Sequence, residues 1–250
     1  MTMADLSRAV TLSVRSADAV VAAATTHANT VREALTKVLG AGAGDAAVVL
    51  LQAGATSLKA SKDKLLGAET AHIIELSDDI PVRKERDEAR VSLREELVRF
   101  RPTVEAAAGT DYLARIGMTG GSPEDPSEMQ RLAGVVVAGL RREALPASLL
   151  PGYVLPAAEL ATRLEQKARR MGAAMEAINR ETKENQETLQ KRDRALAEFT
   201  TVFRAVANLT SVLLASGGEE GLAARVRPSA RRAGQTEEVA NTSGPEGDGL

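Results

Sequence analysis

The chain has 250 residues, 44% apolar and 26% charged, with a formal net charge of −2 from 32 basic and 34 acidic side chains. That composition suits one or two soluble domains, and its balanced charge argues against nucleic acid or an anionic membrane as partner for the whole chain. No Cys, no Trp, two His, and only five aromatics (Phe100, Phe199, Phe203, Tyr112 and Tyr153) leave no material for thiolate metal sites or disulfides, and little for a Ser-His-Asp triad or base stacking.

The first residues lack a basic stretch followed by an apolar core, so no secretory signal is expected. The longest apolar run, 132–140, falls well short of the roughly 20 residues a spanning helix needs. A cytoplasmic chain is the expectation.

A seven-residue period with steps of three and four dominates the sequence. Val10, Val14, Ala17, Val21, Ala24, Ala28, Val31, Leu35 and Val38 form the first seam, with Arg15, Asp18, Arg32 and Glu33 off it. The glycines at 40, 42 and 44 predict a helix stop, because glycine accepts positive φ and disfavours a helix interior. The pattern resumes with Val48, Leu51, Ala55, Leu58, Leu65, His72 and Leu76, so 1–76 reads as an antiparallel αα-hairpin.

Pro81 after Asp78 and Asp79 predicts a new helix start. Val82, Ala89, Leu93, Leu97, Phe100, Val104 and Ala107 continue the seam through a third helix over 77–116, with a kink expected at Pro102. A Gly/Pro-rich loop over 117–127 ends in Ser127-x-x-Gln130, a capping-box spacing that opens a short helix over 126–145.

The segment 156–215 carries the longest register. Its a positions are Leu164, Met171, Ile178, Asn185, Arg192, Phe199, Val206 and Leu213; Leu196 and Phe203 are among its d positions. A continuous helix here would run roughly 85 Å. Beyond Ser216 the period vanishes and the composition turns Gly, Ser, Pro and Glu-rich, so 216–250 reads as a disordered tail. The expected fold is all-α: an antiparallel helical bundle or coiled coil over 1–215, with one very long C-terminal helix and that tail.

Chemistry-bearing constellations are sparse. Glu69-x-x-His72 has the spacing of one carboxylate–imidazole pair of a ferritin-like di-metal bundle, but no second pair completes the set. The alternative is a seam histidine hydrogen-bonded to a neighbour. The polar stretch around Asn185 and Arg192 fits either a register-setting polar core or an exposed bridge between packed halves. Arg225, Arg227, Arg231 and Arg232 form a basic cluster suited to docking an acidic partner.

No cofactor, metal or catalytic residue is expected, and no family resemblance emerges. The sequence points to a non-enzymatic structural or adaptor protein working through helix–helix association, with itself or another helical protein. The pairing seam would be Val10, Val21, Val31, Leu164, Met171, Ile178, Asn185, Leu196, Phe199 and Phe203. The rival from another class is a membrane-active bundle that would expose 132–140 and 199–215 on a trigger.

Overall fold

The computed structural model describes residues 6–242. The elements in order are α1 (Arg8–Thr26), α2 (Ala28–Leu39), α3 (Ala41–Ala108), α4 (Thr110–Arg115), α5 (Pro126–Arg142), α6 (Ala157–Ser216), α7 (Glu220–Val226) and α8 (Glu237–Thr242). The chain is all-α, as its periodicity requires; the described residues include a single isolated bridge, between Pro228 and Thr236.

Two compact units form. The first joins the described residues through Glu75 to those from Asn185 onward; the second is Leu76–Glu184. In the first, α1, the early part of α3 and the late part of α6 bury a shared core. Val10, Val14 and Val20 meet Leu51, Leu58 and Leu65, with Phe199, Phe203 and Leu214 from α6. The α3 and α6 segments run antiparallel there: Lys64 pairs with Glu198, Glu69 with Arg192, and His72 meets Thr188.

The second unit packs the late part of α3 against α4, α5 and the early part of α6. Leu93, Leu97 and Phe100 interleave with Tyr112, Met129, Val136, Leu164 and Met171. Charge pairs set the α3–α6 register here too, Arg170 bonding Glu85 at 2.7 Å and Arg163 bonding Glu96 at 2.7 Å.

Several boundaries differ from the expected ones. The first helix is interrupted at His27, which separates α1 from α2. The loop expected over 40–44 contracts to Gly40 alone, the only one of the three glycines with positive φ (93°). Gly44 continues inside α3 and lets α2 approach: a Cβ there would lie 2.6 Å from the Arg32 carbonyl oxygen.

No new helix starts at Pro81. α3 runs through both Pro81 and Pro102, merging the second hairpin helix with the expected third one. Interior proline costs about 3 kcal/mol, and the nearest buried apolar residues of α3 on either side are Leu65 and Ala89. Asp79, instead of capping a helix, lies within α3 and accepts from Arg83 at 3.0 Å.

α5 is capped by Asp125, whose Oδ1 accepts from the backbone N–H groups of Ser127 and Glu128 at 2.9 and 3.0 Å. Ser127 therefore sits inside the helix instead of capping it, one residue after a proline suited to a first turn.

Of the tail expected over 216–250, the part to Thr242 packs on the first unit and 243–250 lie outside the described residues. Ala223, Val226 and Val239 are buried. The Ser211 hydroxyl donates to the Ala223 carbonyl at 2.8 Å, and the Thr236 N–H donates to Ser16 Oγ at 3.1 Å. Periodicity misses this segment because its apolar residues are few and the tertiary contacts are made by turns and short helices.

Candidate functional site

The pair singled out for a metal lies on α3, where three-residue spacing puts both side chains toward α6. Glu69 is 3% exposed. Its Oε1 accepts from the Ser7 backbone N–H at 3.0 Å, and Oε2 is 3.1 Å from Arg192 Nε. His72 Nδ1 lies 3.1 Å from Thr188 Oγ1. Because the Thr188 hydroxyl donates to the Asn185 carbonyl at 3.0 Å, it accepts from His72, which places the ring proton on Nδ1. Glu69 and His72 are thus engaged by protein groups, and their neighbours are an arginine and a threonine.

Arg192 is neither fully exposed nor part of a self-paired polar core: it is half-buried and reaches across to Glu69. Asn185 is half-buried as well. Of the other expected seam residues, Val10, Val31, Phe199 and Phe203 are buried in the first unit, and Leu164 and Met171 in the second. Val21, Ile178 and Leu196 are half-buried. Phe199 and Phe203 stack with ring centroids 5.7 Å apart. The chain's own helices therefore cover most of this seam.

One 18-residue window of α6 reaches a mean hydropathy of 1.3, enough by length and composition alone to cross a membrane, and 39% of it is buried within the chain. In 132–140, Ala133, Val136, Val137 and Leu140 face the core of the second unit.

The charged residues of the second unit pair with one another across helix surfaces. The Arg170 hydrogen bond holds the Glu85 carboxyl below the usual carboxylate range, and the Arg141 hydrogen bond does the same for Glu165. Tyr112 is displaced upward, because burial disfavours its phenolate. Its hydroxyl has no hydrogen-bond partner, although the Arg115 guanidinium lies 5.5 Å from the ring centroid.

The basic cluster of the tail is laid along the first unit. Arg225 bonds Glu238 at 2.8 Å, and Arg227 and Arg231 are exposed. The backbone N–H groups of Arg231 and Arg232 donate to Ser229 Oγ.

A feature that heptad reading passes over lies on the outer side of α3. Leu76, Ile80, Val91 and Val98 are 47, 68, 50 and 54% exposed. At 3.6 residues per turn, Ile80, Val91 and Val98 fall within about 20° of one another around the helix, with Leu76 about 40° to one side. The buried residues Ala89, Leu93 and Phe100 occupy the opposite face. Lys84, Asp87, Glu88, Val91, Ser92 and Glu95 line a groove of about 630 Å³ along this side. The signal was present as apolar residues off the seam at 80, 91 and 98, spaced by eleven and seven.

No family model matches the chain, and neither does a curated protein or a solved structure.

Proposed function

We propose that the protein is a non-enzymatic structural or adaptor component that works by helix–helix association with a protein partner. The observation that carries this reading is the outer stripe of α3. A helix whose inner face already fills a core has no internal use for four large aliphatic side chains on its other face. Such a face suits a second helix, which would remove Ile80, Val91 and Val98 from water.

The seam that suggested association from sequence is consumed within the chain, so the interaction surface moves from that seam to the back of α3. The engagement of Glu69, Arg192, Glu85, Arg170, Glu165 and Arg141 in structural pairs is consistent with this role.

The test is a photo-crosslinking amino acid placed at Val91 in the full chain, with Gln190, an exposed polar position on α6, as control. Protein adducts at Val91 above those at Gln190 are expected, together with no co-sedimentation on phosphatidylcholine or phosphatidylglycerol vesicles. Equal adducts at both positions would remove the reading. Vesicle binding by the purified chain would replace it with the membrane-active one.

A further inference from the structure

α1 is buried on two faces. Val10, Val14 and Ala17 belong to the core shared with α3 and α6. At 100° per residue, Ser16 and Ala23 lie within about 20° of each other and about 160° or more from Val14. They are nonetheless 0 and 5% exposed. The segment that follows Gly218 covers them. The Thr236 backbone N–H donates to Ser16 Oγ at 3.1 Å, and Leu222 and Val226 of α7 line one groove with Ala23.

We infer that the segment from Glu219 to Thr242 is a hinged strap, which opens as one body about Gly218 and uncovers the groove between α1 and α6 while the helices beneath stay folded. None of its residues lies on the outer face of α3, so it stands apart from the helix-association reading.

The pivot is marked by two glycines of different character. Gly217 is pinned against α2, where a Cβ would lie 3.3 Å from Val31 Cα. Gly218 has φ 83° and nothing within 4 Å of the position a Cβ would take. Beyond it the strap is bonded within itself. Ser229 N–H donates to the Gln235 carbonyl at 2.8 Å, Glu237 N–H to the Arg227 carbonyl at 2.9 Å, and Arg225 pairs with Glu238 at 2.8 Å. A segment tied together in this way opens as a unit instead of fraying residue by residue.

The seat beneath it is shallow. Among the described residues, the strap's buried apolar side chains are Ala223, Val226 and Val239. A groove of about 260 Å³ remains where α7 and α8 meet α1. Gln235 Oε1 is buried without a hydrogen-bond partner, a cost that opening to water removes. Gly234 makes the close approach possible: its φ is 75°, and a Cβ there would lie 3.1 Å from Ser13 Oγ and 3.3 Å from Phe199 Cε1. Closed, the strap therefore withholds Ser16 and the edge of Phe199 from any other chain.

The experiment uses the absence of cysteine from the chain. Ser16→Cys puts a single thiol under the strap, and Val14→Cys puts one in the core on the other side of α1. Both are made in the full chain, far-UV circular dichroism checks that helicity is kept, and labelling by a thiol reagent is followed without denaturant and at low urea. Ser16→Cys is expected to label roughly a hundredfold faster than Val14→Cys, with a shallower urea dependence, because a local opening lies below the global one in free energy and exposes less surface. Gly234→Ala, which strains the closed strap, and the milder Val226→Ala, which removes part of its seat, should each speed labelling of Ser16→Cys about tenfold.

Equal labelling of the two thiols would overturn the inference, since Ser16 would then be reached only by unfolding of the whole unit. So would fast labelling of Ser16→Cys that neither Gly234→Ala nor Val226→Ala changes.

Discussion

Glu69 and Arg192 meet at 3.1 Å between α3 and α6, with 4 and 25% of their side chains exposed. The carboxylate has given up nearly all its water, and its compensation is that guanidinium and one backbone N–H from Ser7. Burying a charge is expensive unless it is paired, so each partner depends on the other.

Arg192→Met is therefore expected to destabilise the chain by about 3 kcal/mol, because it strands a buried carboxylate. The double variant Glu69→Met with Arg192→Met should recover most of that loss, since an apolar pair of similar volume needs no compensation. Urea unfolding followed by circular dichroism measures all three. Additive losses would show that the pair has no coupling.

Tyr112 supplies a pH dependence with a definite sign. Its folded pKa lies above the unfolded one because burial disfavours the phenolate. Stability is then fully present below the unfolded value of about 10 and falls as pH rises through the folded pKa. Tyr112→Phe should flatten the alkaline limb. It should also raise stability at neutral pH by about 1 kcal/mol by removing a buried hydroxyl without a partner. A steep alkaline limb retained in the variant would assign the effect to other groups.

Two helical glycines near the start of α3 should respond oppositely to alanine. Gly42 has open space around a new Cβ, so Gly42→Ala is expected to stabilise by about 0.5–1 kcal/mol. At Gly44 the new atom meets the Arg32 carbonyl of α2 at 2.6 Å, and a backbone group yields only if the helix moves. Gly44→Ala should therefore destabilise, by about 1–3 kcal/mol as overpacking does. Thermal melts of the two variants side by side decide it; equal shifts would refute the close approach.

Removing everything after Gly217 tests the C-terminal segment. The truncation strips Ala223 and Val226 from the first core, removes the buried Val239, and leaves Ser16 Oγ and Ser211 Oγ without their partners. A lower melting temperature and increased binding of an apolar dye are expected. An unchanged melting temperature would make the segment a solubilising tail only.

Sequence alone determined the helical class and many of the core positions, because a seam repeating every three and four residues buries only as helix against helix. Val10, Leu58, Leu97, Leu164 and Phe199 were readable in this way and are buried. Tertiary structure decided what local rules leave open. Pro81 lies within a helix although its local preference is for a boundary, and of the three early glycines only Gly40 takes the positive φ that stops a helix. The ordered stretch to Thr242 depends on contacts with α1 more than two hundred positions away, such as Thr236 with Ser16. The outer stripe of α3 belongs to this second class: a helix's apolar residues can be read from their period, but which of its faces is already covered depends on where every other helix lies.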